Sequence, residues 1–443
     1  MSANETQTNP VFADCVRAAG DAWGSYTHRL SQAQRGLGAS AADVDAADVD
    51  AAGAGDESLS PLYVAQCIRL DKSYPMVVCA RGTMRGEFAA QRSKRSDKLQ
   101  VCIGDWVIIR VDAAHNMAII VDVCPRIRAF SRWIGDRRGT MQTLAANITH
   151  VALTCALGAQ PLCLDQLLRA CVIAAHNNIT PCIILTKADR ISPASLCEQL
   201  ERLFRAIPPR VCVCVCSATA FLDGGEDACI QSFLGDAAVA SLMRTHPQVT
   251  WGVSAVRRAL CGAGAGAAAD AGDAAGNDGT ANGADTCNAA DASNVAPSAC
   301  VDSLSSSSTA PFVTMFFGMS GAGKSTLINT LLHQHIMDTS HTRARDDAGR
   351  HTTVSRRLLR VNDHAMLIDC PGVRTLRLLF EEDGVRRLFA DALPQDGACK
   401  FSDCTHTHEP GCALKDVAYA RVYAQLMSEI ASAQTEVAAD VRA

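Results

Sequence analysis

The run GMSGAGKS constrains this chain more than any other stretch. It comprises Gly318, Met319, Ser320, Gly321, Ala322, Gly323, Lys324 and Ser325, with Thr326 next. It fits the pattern G-x-x-x-x-G-K-[ST]. It follows an apolar run, PFVTMFF (311–317), and precedes a helical pattern carrying Leu327, Ile328, Leu331 and Leu332. A glycine-rich turn between a strand and a helix wraps backbone N–H groups around phosphates, and the helix N-terminus adds positive potential. Such a turn demands an α/β domain with a parallel sheet. In it, Lys324 reaches the β- and γ-phosphates of a nucleotide and Ser325 ligates Mg2+.

The base that such a site accepts is set elsewhere. LTKAD (185–189) ends the apolar run ITPCIIL (179–185), and ligands bind at the carboxyl ends of parallel strands. Asp189 can accept hydrogen bonds from both N1–H and the 2-amine of guanine; adenine offers the wrong pattern. Lys187 lays its stem along the base. Thr186 stands where the N-K-x-D form has asparagine, supplying a hydroxyl in place of an amide. A Ser-Ala pair backs the base, either Ser217 with Ala218 or Ser254 with Ala255; the first follows VCVCVC (211–216) and is preferred. If the second serves, 219–250 is an insertion.

DCPG (369–372) follows AMLID (365–369) and matches a D-x-P-G loop. There Asp369 would hold Mg2+ through water, and the Gly372 N–H would meet the γ-phosphate. GRHTTV (349–354) offers Thr353, or Thr352, to complete the Mg2+ shell. Val373 cannot orient a water as glutamine does in other GTPases, which leaves His351 as the candidate polar group for catalysis beside Lys324. The order of these parts is rotated: the base element comes first and D-x-P-G last, which is a circular permutation. A P-loop ATPase or kinase is the competing enzyme class, and Asp189 argues against it. A GTP-regulated RNA-binding module without useful turnover competes as well.

Around this core lie other units. At 443 residues the chain allows two or three domains. Residues 61–125 carry four short apolar runs with turn residues between them, the pattern of a small barrel. A basic run crosses it: Arg81, Arg85, Arg92, Lys94, Arg95 and Lys98. A positive groove on such a barrel suits RNA, although the formal net charge of -5 excludes a globally basic binder. CKFSDCTHTHEPGC (399–412) spaces Cys399, Cys404, His406 and Cys412 as C-x4-C-x-H-x5-C, a closed structural Zn2+ set with His408 as rival ligand. This block could serve protein instead of RNA. The other cysteines of the 21 lie mostly in apolar runs and read as inert buried thiols in a reducing compartment. Residues to about 60, and 261–310 with six Asp after position 269 and no Lys or Arg, read as flexible. No run approaches the ~18 apolar residues of a membrane span, and the first residues lack the pattern of a secretory leader.

Taken together, these motifs resemble the circularly permuted, ribosome small-subunit-dependent GTPases of the RsgA/YjeQ family. The resemblance is carried by ARG (80–82), GDWV (104–107), AAN (145–147), TKAD, GMSGAGKST, GRHTT, DCPGVR and the cysteine–histidine cluster ending in EPGC. It implies a multidomain protein: an OB-fold β-barrel, a permuted α/β P-loop GTPase domain and a small α zinc-binding domain. The corresponding boundaries are a disordered tail at 1–60, the RNA-binding OB-fold at 61–130, the GTPase domain at 131–395 with the insertion 261–310, and the zinc domain with a C-terminal helix at 396–443. It implies GTP hydrolysis on binding the small ribosomal subunit and its rRNA, late in maturation of that subunit, by a cytoplasmic monomer. It also implies a part in hydrolysis for His351. Thr186, the acidic insertion, the tail and a shortened end depart from the pattern.

Overall fold

Alternating apolar positions between residues 62 and 123 close into a five-stranded barrel. In the computed structural model the strands are β1 (Leu62–Asp71), β2 (Tyr74–Cys79), β3 (Gly82–Phe88), β4 (Trp106–Asp112) and β5 (Met117–Val123). The structure describes residues 15–16, 23–31, 61–71, 74–88, 100–112, 114–134, 139–158, 160–262, 312–337, 356–362, 364–370, 376–392, 399–401, 404, 411–413 and 419–441. Closure runs β1–β2–β3–β5–β4 and back to β1, with only β3–β5 parallel. Inside sit small and branched side chains, among them Ala65, Val77, Val107, Ile109 and Ile120. The opposite face of β1 and β4 contributes Val64 and Ile108 to the main core.

A helix at 23–31, α1, lies against this barrel and corrects the expectation of a wholly disordered tail over 1–60. Its Trp23 and Tyr26 rings contact the buried Trp106 at centroid distances of 5.4 and 5.3 Å. Arg29 pairs with Asp122 at 2.7 Å. Two aromatic anchors in one short polar stretch supply the burial that its composition hides.

Asp105 ties the barrel to a neighbouring hairpin. Its carboxylate is fully buried and meets Arg126 in a fork, Nε to Oδ1 at 2.7 Å and Nη2 to Oδ2 at 2.8 Å. It also accepts the Cys102 N–H, while Arg126 reaches Thr143 Oγ1. Thr143 belongs to the hairpin of β6 (Ala129–Ile134) and β7 (Thr140–Ala146).

The second sheet comes next: β8 (His150–Ala156), α2 (Leu164–His176), β9 (Thr180–Thr186), α3 (Pro193–Ala206) and β10 (Cys212–Val215). Then come α4 (Ala218–Leu222), α5 (Glu226–Leu234), α6 (Ala237–Thr245), β11 (Val249–Trp251) and α7 (Gly252–Cys261). After the 263–311 stretch come β12 (Phe312–Phe317), α8 (Lys324–Leu332), β13 (Arg356–Asn362), β14 (Ala365–Asp369), α9 (Glu382–Phe389) and α10 (Ala420–Val441). The order is β11-β10-β9-β8-β12-β14-β13, parallel except for β13. That is a permuted α/β P-loop sheet, since the loop-bearing β12 inserts beside β8. β13 also pairs antiparallel with β1, so the sheet continues into the barrel.

The final helix docks on this unit. Leu426 and Ile430 are buried in its core, Arg169 pairs with Glu429, and Tyr419 Oη donates to the Phe204 carbonyl at 2.8 Å. Burial pushes the thiols of Cys155, Cys261 and Cys370 up to about 12, which fits the reading of inert thiols. Among the described residues no helix is long and apolar enough to cross a membrane.

Replacing Asp105 with alanine strands a partly buried guanidinium and an amide. It is expected to destabilise the barrel by on the order of 3 kcal/mol, whereas Asp122→Ala, which breaks the pair with the half-exposed Arg29, costs about 1 kcal/mol. Denaturant unfolding followed through the Trp106 environment compares the two.

Candidate functional site

Four parallel strands of the second sheet end on one edge, and each delivers a piece of the site. β12 pairs with both β8 and β14, which puts the glycine-rich turn at the centre. A Cβ at Gly318 would lie 2.2 Å from the Thr154 carbonyl oxygen, so no side chain fits where the turn leaves β12. Met319 and Ser320 are exposed at the tip; Ala322 is buried beneath it. Lys324 opens α8, and its Nζ donates to the Gly318 and Met319 carbonyls at 2.7 Å each. That holds the ammonium within the turn. Ser325 and Thr326 follow, half-buried, in the first turn of the helix. Asp369, buried at the end of β14, is the register partner of Phe316, so it lies beside the strand end from which the turn departs.

The base-side residues come from β9 and β10. Thr186 is buried at the end of β9, and its hydroxyl lies 2.8 Å from the Ala322 carbonyl oxygen and 3.2 Å from that of Cys155. The threonine thus links the base element directly to the phosphate loop. A hydroxyl carries one proton for two acceptors, where an asparagine amide would carry two. Lys187 takes a left-handed conformation with φ of 60°, which turns the chain into a short 3-10 turn, Ala188–Arg190, holding Asp189. Ser217 caps α4, accepting the Ala220 N–H at 3.1 Å, and its Oγ donates to Asp189 Oδ1 at 2.5 Å. Ala218 is buried beside it. Of the two Ser-Ala pairs, this one reaches Asp189; Ser254 is exposed on α7. Residues 219–250 accordingly build α4, α5, α6 and β11 onto the sheet edge.

Other assigned positions divide. His351, Thr353 and Gly372 lie outside the described residues, as do His406, Arg92, Lys94, Arg95 and Lys98. Arg81 lies over the Tyr63 ring at 5.5 Å and Arg85 over Tyr74 at 3.9 Å, so both cations rest on aromatic faces of the barrel. The Cys399, Cys404 and Cys412 sulfurs lie within 4.8 Å of one another. Sulfurs bound to one tetrahedral ion at ~2.3 Å stand about 3.8 Å apart, so three thiolates placed this way fit a soft metal. One further residue, Glu226, was not singled out by its sequence: an acidic residue in GGED looks like a solvated turn, yet it is buried behind Ser217.

This geometry can be set beside known proteins. The family model described as RsgA GTPase matches residues 123–224 and 286–379. Over these segments the chain is similar to the RsgA GTPase family. A Streptomyces avermitilis relative named small ribosomal subunit biogenesis GTPase RsgA is 28% identical over 353 residues, covering 80% of this chain and 73% of the relative. A Lactiplantibacillus plantarum relative, small ribosomal subunit biogenesis GTPase RsgA 2, is 29% identical over 313 residues, or 71% of this chain and 65% of its own. The solved structure of YjeQ from Thermotoga maritima aligns over 84% of this chain and 99% of its own, with a TM-score of 0.48 and 15% identity. The family match and the names of these relatives support GTP hydrolysis as the activity of this chain.

Thr186→Val keeps the shape but removes the proton that joins the base element to the loop. Losing one hydrogen bond to a buried carbonyl is worth about 1–2 kcal/mol, so GDP affinity should fall roughly tenfold. Thr186→Asn, with two protons, should bind GDP at least as well as the parent. Calorimetric titration with GDP decides both.

Proposed function

We propose that this chain binds the small ribosomal subunit through its rRNA, hydrolyses GTP on doing so, and assists late maturation of that subunit in the cytoplasm. What carries this is the meeting, at one sheet edge, of a base-reading Asp189, its partner Ser217 and a phosphate loop tied to them through Thr186. The names of the relatives supply the ribosomal direction.

In this reading Asp189 accepts the guanine N1–H and 2-amine, Lys187 and Ala218 flank the ring, and residues 318–326 surround the phosphates. Lys324 shifts from its two carbonyl partners to the β- and γ-phosphates, where it offsets charge as the γ-phosphoryl group departs. Ser325, Thr353 and Asp369 would hold Mg2+, which screens the phosphate charge when bound. Gly372 meets the γ-phosphate through its N–H. His351 orients the attacking water, whose oxygen bonds to the γ-phosphorus as the bond to GDP breaks. Val373 leaves no side chain nearby in sequence to do this instead.

Two surfaces address the subunit. Arg81 and Arg85, seated on tyrosine faces of the OB-fold barrel, would bind rRNA together with Arg92, Lys94, Arg95 and Lys98 of the same basic run. Cys399, Cys404 and Cys412, completed by His406, would hold one structural Zn2+; the convergence of the three thiols supports that assignment. The zinc block then forms the third unit of the chain, after the barrel and the GTPase domain, and the protein acts as a monomer.

GTP hydrolysis by the purified protein should rise strongly on adding small ribosomal subunits and not large ones. His351→Ala should lower the stimulated rate about a hundredfold while GDP binding is kept. An unstimulated, slow rate with both subunits would remove the ribosomal partner, and a His351→Ala rate equal to the parent would remove the histidine from the reaction.

A further inference from the structure

Glu226 is the first residue of α5 and only 7% exposed. Its two carboxylate oxygens accept from two separate segments: Oε1 from the Ser217 N–H at 3.1 Å, Oε2 from the Val253 N–H at 2.9 Å. One side chain therefore bridges the end of β10 to the first turn of α7. Neither partner is a cation. The charge rests on two amides and on the positive end of α7. Burial pushes this carboxyl above the usual carboxylate range, with the two amides pulling it back. A buried carboxylate with no cation partner is costly, and the two amide hydrogen bonds are what offset that cost.

The start of α7 is shaped for it. Gly252 has φ of +86°, and a Cβ there would stand 3.2 Å from Glu226 Oε2 and 3.3 Å from Ile230 Cδ1. Any side chain at 252 crowds the carboxylate. On the other side, Ser217 stands at the head of α4, a helix of only five residues, which cannot fix its own first residue firmly. The amide of Ser217 is held by Glu226; the hydroxyl of Ser217 holds Asp189. The chain of contacts runs from α7 through Glu226 and Ser217 to the carboxylate that would read the base.

We propose that Glu226 is a positioning residue for guanine recognition: by clamping the Ser217 amide to α7 it sets the orientation in which Asp189 presents both oxygens to the base. This rests on the reading of Asp189 as the guanine-binding group. The specificity consequence is particular. A displaced Asp189 loses the bifurcated bond to the ring N1–H and 2-amine, so the advantage of a base with that amine shrinks.

The test uses the full chain and three diphosphates: GDP, IDP (which lacks the 2-amine) and ADP. In Glu226→Gln one oxygen becomes an NH2, so only one of the two backbone donors keeps an acceptor. GDP affinity is expected to fall about tenfold. The GDP-to-IDP ratio should narrow severalfold while weak ADP binding through the phosphate loop stays as it was. Gly252→Ala leaves Glu226 in place but crowds it, and should narrow the same ratio; it serves if the glutamine variant does not fold. A carboxylate that only stabilises the fold would lower the melting temperature and weaken GDP and IDP equally. An unchanged ratio in both variants therefore overturns the proposal. If the parent protein binds ADP as tightly as GDP, the reading of Asp189 fails first and the role of Glu226 goes with it.

Discussion

Everything at the site depends on the parallel pairing of β8 with β12, two strands more than 150 residues apart in the chain. The pairing is anchored at its start. Thr149 N–H donates to the Val313 carbonyl, and the Thr149 hydroxyl accepts the Val313 N–H at 2.9 Å. With β12 seated there, the turn it carries falls next to the end of β9, and Thr186 can reach Ala322. A GTPase read in the usual order brings phosphate loop and base element together with the base element last. Here the base element is laid down first, and the phosphate strand slides in beside it after the 263–311 stretch. Spatial neighbours are preserved because the sheet is built from pairings and not from chain order.

The departure at Thr186 shows how a motif can change chemistry while keeping its task. The residue must tie the loop to the strand that holds the base element, and its hydroxyl does so at a good distance. What it cannot do is satisfy both carbonyls at once. The base side is held together separately, by Ser217 with Asp189, supported from behind by Glu226.

Much of this was legible from residues alone. The phosphate loop, the base element and D-x-P-G announce themselves because their spacing is fixed by backbone geometry, and their rotated order announces the permutation. Four of the five barrel strands were legible as short apolar runs between turn residues; β3, with Thr83, Arg85 and Glu87 exposed, was not. Three other things were not legible. Residues 23–31 form a helix whose aromatic anchors sit among Ala, Gly and polar neighbours, so a composition average hides them. Glu226 has no local signature, since its importance arises from two amides that lie nine and 27 residues away. The choice between the two Ser-Ala pairs needed a contact to Asp189, which no periodicity supplies.

The join between barrel and GTPase sheet adds a mechanical consequence. β13 begins at Arg356, directly after the stretch that carries GRHTTV. Arg357 is the register partner of Asp369 on one side and of Arg69, in the barrel, on the other. One residue therefore links the strand that ends in the candidate Mg2+ carboxylate to the first strand of the unit that carries the basic run. Ladder hydrogen bonds on both sides of a single strand resist shear, so the barrel cannot rotate at this edge without disturbing β13. Beside the Ile103–Ala145 contact, this strand is a direct connection from the barrel to the candidate nucleotide site, and the stretch bearing His351 precedes its first residue in the chain.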